Sequence, residues 1–236
     1  MNIFLICGYG IPTDIQQDTN YRTYLHIVFN HMYELAANQS AVVIPCGGST
    51  KCDPPYTGTE AEVIAVYLRE LMAREETNRQ TSRWSIFPEE TSLSTLENLL
   101  FAKEIIQTQN FTGPMSIFCE KTRESRVEAF AEKIFGEGRV RVQAIDFDVS
   151  KNRYLDPEVL SKKETLALEE GLWTLENPDR IQKHHAFFQK KFEFLRRRQS
   201  EGLSHVDAIA EWYMMKEEVM RQLIPDHPLL HVINES

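Results

Sequence analysis

Ile3-Phe4-Leu5-Ile6-Cys7-Gly8-Tyr9-Gly10 opens the chain with an unbroken apolar run that stops at two glycines and is followed by Pro12. An apolar run without polar alternation suits a strand buried on both faces, as in a parallel sheet. The unit then recurs. Tyr21 to Ala37 carries Tyr24, Leu25, Val28, Met32 and Leu35 on one apolar side and reads as a helix. Ala41 to Cys46 is a second apolar run, ended by Gly47-Gly48, and Thr57 to Arg74 reads as the next helix. That helix has capping-box spacing at Thr57 and Glu60, or at Thr59 and Glu62. Trp84–Phe87, Met115–Cys119 and Arg139–Phe147 are further strands, and Ser94–Gln107 and Thr122–Phe135 are further helices.

Strand and helix thus alternate from Ile3 to Phe147. Parallel neighbours need crossovers, and crossovers are right-handed, so the pattern predicts an α/β fold. The expected architecture is a three-layer, Rossmann-like parallel sheet of five strands over residues 1–150. After Asp148 no strand pattern remains. Residues 151–236 read as a helical C-terminal region with breaks near Asn177-Pro178 and Gly202, packing on the sheet domain.

The chain has 236 residues and a formal net charge of −9, a sign that repels phosphate backbones and anionic membranes. No nucleic-acid or membrane partner is expected; a small-molecule ligand is. The basic cluster Lys190, Lys191 and Arg196-Arg197-Arg198 reads as a solvated helix face. Cys7, Cys46, Cys52 and Cys119 form no CxxC pair and lack histidines at zinc spacing, so no metal site is expected. Cys7, Cys46 and Cys119 each end an apolar run, where cysteine behaves as a small buried hydrophobe. The opening apolar run is too short for a secretory leader and no stretch suits a membrane span, so a cytoplasmic location is expected.

Ligands of open α/β sheets bind outside the carboxyl ends of the strands. Gly8-Tyr9-Gly10 and Gly47-Gly48-Ser49-Thr50 lie at such ends, where glycine admits a ligand close to the backbone and a following helix start favours an anion. Glu89-Glu90-Thr91-Ser92-Leu93-Ser94-Thr95-Leu96-Glu97-Asn98 is richer in polar groups than a helix start requires. Capping accounts for Ser94 and Glu97, but not for Ser92, Thr95 and Asn98 together. His184-His185 sit among Phe187, Phe188, Phe192 and Phe194 and read as packing and surface residues.

These motifs resemble the YdcF/SanA-like family, a Rossmann-like domain of unknown function. The resemblance is carried by Gly8, Arg22, Gly47-Gly48, Glu60-Ala61, then Glu89, Ser92, Thr95, Glu97 and Asn98, and finally Arg126. It spans residues 1–148, and the helical tail is similar to the cytoplasmic YdcF-type branch. The family often has histidine three residues before the Arg126 position, where this chain has Arg123.

The expected function is binding of a small anionic or nucleotide-like ligand at the strand ends by an enzyme, with S-adenosylmethionine as the specific ligand candidate. In this reading Gly8, Tyr9, Gly10, Gly47, Gly48, Ser49 and Thr50 cradle the ligand. Ser92, Thr95 and Asn98 supply hydrogen bonds, and Arg22, Arg123 and Arg126 pair with a carboxylate or phosphate. Glu60, Glu89 and Glu97 are the candidate catalytic residues, as general base or ribose-binding acids. The alternative is a non-catalytic metabolite sensor or adaptor acting through the helical tail, with Trp212, Tyr213, Met214, Met215 and Met220 facing a partner. A metal-dependent hydrolase using Asp53 with Glu60, Glu89 and Glu97 fits less well, because acids at helix starts are explained by capping and the helix dipole.

Overall fold

The computed structural model describes residues 1–8, 15–50, 58–146 and 157–232, with the side chains of 157–162 and 231–232 excepted. Tyr9, Gly10, Cys52 and Asp53 lie outside the described residues. The sheet is built from β1 (Asn2–Cys7), β2 (Ala41–Cys46), β3 (Trp84–Ile86), β4 (Met115–Glu120) and β5 (Val140–Ile145). All neighbours are parallel and the order is β3-β2-β1-β4-β5. The order reverses between β1 and β4, so a crevice opens at their carboxyl ends.

Alternation of side chains along β1 divides the core. Phe4 and Ile6 face α1 (Thr19–Ala36) and α2 (Glu60–Met72), with Tyr24, Val28, Met32, Ile64 and Leu68. Ile3, Leu5 and Cys7 face α4 (Thr95–Thr108) and α5 (Glu124–Phe135), with Leu99, Val127 and Phe130. This gives three layers, α/β/α, and explains why β1 from Ile3 onward and β2 are apolar throughout: both faces are covered. The short helix α3 (Asn78–Thr81) precedes β3 and was not legible as a separate element. A 3₁₀ turn, Lys121–Arg123, intervenes between β4 and α5.

Four helices follow: α6 (Pro157–Leu175), α7 (Pro178–Ser200), α8 (His205–Leu223) and α9 (Leu229–Val232). Asn177 caps α7 by accepting from Asp179 N at 2.9 Å, and Pro178 takes the first helical position, where a missing N–H costs nothing. Helices α7 and α8 share a core of their own around Phe187, Phe194, Trp212 and Met220. Leu168, Leu172 and Leu175 of α6 instead pack into the α4–α5 side of the sheet domain. No helix among the described residues is long and apolar enough to cross a membrane.

Gly171 is where α6 meets α5: a Cβ there would overlap the Phe130 ring. Gly171→Ala is therefore expected to lower stability by about 1–3 kcal/mol through overpacking, read as a lower urea midpoint at an unchanged m-value. An unchanged midpoint would show that the two helices separate freely.

Candidate functional site

The structure gives the glycine loops a different partner from the one expected. The Glu60 side chain is buried and lies against Gly8 and Gly47. A Cβ on Gly8 would overlap its carboxylate, and one on Gly47 would come within 2.7 Å of Glu60 Oε2 and 2.8 Å of Glu60 Cβ. Gly47 also has φ +143°, a conformation that favours glycine. Gly48 faces backbone, with Ser92 O 2.6 Å from its would-be Cβ. Much of the glycine signal thus reports a buried carboxylate and a close backbone crossing. The Glu60 carboxylate accepts from Tyr21 Oη at 2.9 Å.

The start of α2 is likewise occupied. Glu60 N donates to Gly48 O at 3.1 Å, Ala61 N to Gly47 O at 2.8 Å, and Glu62 N to Thr59 Oγ1 at 3.2 Å. These amides are the ones that would otherwise receive an anion. The phosphate cradle expected from Gly47 and Gly48 is closed by the loop's own carbonyls. Ser49 O accepts from Arg196 Nη1 at 3.0 Å, and Thr50 N donates to Gly48 O at 2.9 Å.

Glu89 organises the polar segment after β3. Its carboxylate accepts from Thr91 N (2.8 Å), Thr91 Oγ1 (2.7 Å) and Ser92 N (2.9 Å), and it contacts Ser92 Oγ. Ser92 Oγ also lies 2.6 Å from Asn98 Oδ1. Glu89, Ser92, Thr95 and Asn98 are all buried, so this cluster shapes the loop that carries Ser94 into α4.

At the crevice between β1 and β4, Arg123 Nη1 donates to Gly8 O at 2.7 Å, and its Nε lies 3.7 Å from Glu120. Burial opposes its charge, but Glu120, Glu164 and Glu60 outweigh burial and hold its pKa above the usual value. Arg126 pairs with Glu164 of α6 at 2.8 Å, and burial brings its pKa down to about 10 against the pull of Glu164. Lys163 stands close enough for both arginines to add to burial in lowering its pKa. Arg22 is elsewhere, bonded through Nε to Tyr67 Oη at 3.2 Å and through Nη1 to Gln16 O at 2.9 Å.

Comparison with protein-family models, curated proteins and solved structures finds no match.

Glu97 is the centre of a second cluster, and its partners come from the helical region. It is fully buried, and Oε2 accepts from Leu93 N at 2.7 Å. His185 Nδ1 lies 3.1 Å from the same oxygen, and His184 Nε2 lies 3.8 Å from Oε1. His184 Nε2 also meets Ser94 Oγ at 3.0 Å, while its Nδ1 faces Glu170 of α6 at 3.5 Å. Reading His184 and His185 as packing and surface residues is therefore corrected: the adjacent imidazoles straddle one carboxylate. Their spacing gave no sign of this, because the groups they meet lie on α4 and α6.

Glu97 raises the His185 pKa by hydrogen bonding, against burial. Gln189 Nε2 lies 3.0 Å from His185 Nε2, so a neutral His185 with its proton on Nδ1 satisfies both neighbours. Helix α7 reaches from these histidines to Arg196 at the end of β2, across the ligand edge of the sheet. Of the basic cluster, Arg198 pairs with Glu201 and Glu211 and Arg197 is exposed, as a solvated face requires, whereas Arg196 turns to the Ser49 loop.

Cys46 and Cys7 end β2 and β1, and Cys119 stands one residue before the end of β4; all three are buried on the α4–α5 side. Burial pushes the Cys7 thiol up to about 11, and it raises the other two as well. Such thiols stay protonated, which suits packing. No group of three or more potential metal ligands occurs among the described residues.

Proposed function

We propose that the chain is an enzyme of YdcF/SanA-like character that binds a small anionic, nucleotide-like ligand at the carboxyl ends of β1 and β4, under the helical region. The observation that carries the reading is the gathering of Arg123, Arg126 and Lys163 where the strand order reverses. Guanidinium groups suit a carboxylate or phosphate, and partial burial strengthens such contacts. Glu120 and Glu164 balance these cations in the free protein and would exchange partners when a ligand arrives. The Glu97–His185 pair supplies an acid–base group on the same edge of the sheet. A cytoplasmic setting accords with this reading.

The test is calorimetric titration of the full chain with S-adenosylmethionine and, separately, with adenosine monophosphate. Saturable binding of one of them, weakened about tenfold or more in Arg126→Gln, is the expected result. Absence of heat with both, in a folded sample, would reject the nucleotide-like ligand.

A sensor or adaptor remains the second reading, on one observation. Tyr213, Met214 and Met215 on α8 are 58%, 78% and 45% exposed, whereas Trp212 and Met220 of the same stripe are buried in the helical core. Turnover of a bound ligand by pure protein, lost in Glu97→Gln, would reject it.

A further inference from the structure

Ser94 at the cap of α4, His184 of α7 and Glu170 of α6 meet in series. Ser94 caps α4: its Oγ accepts from Glu97 N at 3.3 Å. That bond uses a lone pair and leaves the hydroxyl proton for His184 Nε2, 3.0 Å away. In that arrangement His184 carries its own proton on Nδ1, which faces the Glu170 carboxylate at 3.5 Å, closer than the 3.8 Å from Nε2 to Glu97 Oε1. The opposite tautomer would aim a lone pair at that carboxylate. Glu170 is itself held from behind. His227 Nδ1 accepts from Leu229 N at 3.2 Å, so its Nε2 carries the proton and points to Glu170 at 3.6 Å. Burial opposes ionisation of Glu170, but His184 and His227 together hold its pKa far below the usual carboxylate range.

We propose that Ser94 is a nucleophile activated by His184, with Glu170 and His227 as positioning residues, and that the chain hydrolyses small carboxylic esters at this site. The arrangement has the serine–imidazole–carboxylate order that acyl transfer requires. Ser94 Oγ adds to the ester carbonyl carbon while its proton passes to His184 Nε2. The carbon–alkoxide bond then breaks, the alcohol leaves with that proton, and an acyl group stays on Ser94. Water adds to the acyl carbon, giving its proton to His184. The acid is released as the bond to Oγ breaks, and Oγ recovers the proton.

The first amides of α4, those of Thr95 and Leu96, have no acceptor within the helix and directly follow Ser94, where an N–H can hold the oxyanion. The Phe188 ring, 4.8 Å from the His184 ring, and Phe101, 5.9 Å from that of His185, favour an apolar acyl group. This site lies at the end of β3 and does not depend on a ligand between β1 and β4; the titration above and the experiment below can fail separately.

The full chain is treated with an alkyl fluorophosphonate, the adduct is mapped by peptide mass spectrometry, and hydrolysis of p-nitrophenyl butyrate is followed. One adduct, on Ser94, is expected. Ser94→Asn keeps a good helix cap but has no nucleophile, so it should fold and lose at least ~100-fold in hydrolysis, as should His184→Gln. Glu170→Gln is expected to reduce kcat/KM at least ~10-fold, because His184 Nδ1 loses the carboxylate that holds its proton in place. Glu170→Asp should restore part of the rate. A folded wild-type protein that takes no adduct on Ser94, or Ser94→Asn hydrolysing at the wild-type rate, overturns the proposal.

Discussion

Gly8→Ala is expected to destabilise the protein by about 3 kcal/mol, and most of that loss should disappear when Glu60 is also replaced by alanine. The new methyl group would occupy the space of the Glu60 carboxylate. That carboxylate cannot simply swing away: it is buried, it accepts from Tyr21 Oη, and Gly47 confines it from the second side. Displacing it breaks a buried hydrogen bond in addition to straining the packing. Glu60→Ala alone should cost about 2–3 kcal/mol, because Tyr21 loses its acceptor and a cavity opens beneath both glycines. In the double variant the alanine at position 8 grows into that cavity. A coupling energy of about 2 kcal/mol is the expected outcome of the four-member cycle in urea. Additive losses would mean that Gly8 is required for some reason other than Glu60.

Glu97→Ala should be as damaging, with a pH signature that the glycine variants lack. Removing the carboxylate leaves Leu93 N and His185 Nδ1 without their buried acceptor, at a cost of about 3 kcal/mol. Glu97→Gln keeps an acceptor for Leu93 N and isolates the charge. In the wild type, Glu97 raises the folded-state pKa of His185 above its ordinary value near 6.5. A raised histidine contributes stability that is fully present below the unfolded value and is lost as pH rises through the folded one. Relative to Glu97→Gln, the wild type should therefore gain stability as pH falls from about 8 to about 6. Parallel pH profiles for the two proteins would show that His185 does not pair with Glu97 in solution.

Both variants act on links between distant segments, and this is where legibility in the sequence stops. The first two strands could be read because burial on both faces leaves an unbroken apolar run, Ile3 to Cys7 and Ala41 to Cys46, and because each of these runs ends at glycine. The helix start at Ser94, and that at Thr59 as one of two cap candidates, could be read because a cap is local: the side chain bonds an amide three residues on. The break at Asn177-Pro178 was legible for the same reason. Short-range steric and hydrogen-bonding rules fix such features before the chain folds.

What Glu60 and Glu97 do could not be read in this way. Glu60 looks like one more acid at a helix start until α2 lays it under Gly8 and Gly47, and the glycines look like a ligand cradle until that happens. His184 and His185 look like surface and packing residues because adjacent positions on a helix diverge. They converge on Glu97 only because α7 crosses the edge of the sheet and places the carboxylate between them. The local sequence thus specified the α/β framework and its caps. Partners far apart in sequence, such as Ser94 and His184 at 90 residues or Ser49 and Arg196 at 147, were selected by packing, since burying the apolar faces of α6 and α7 is what brings their polar groups together.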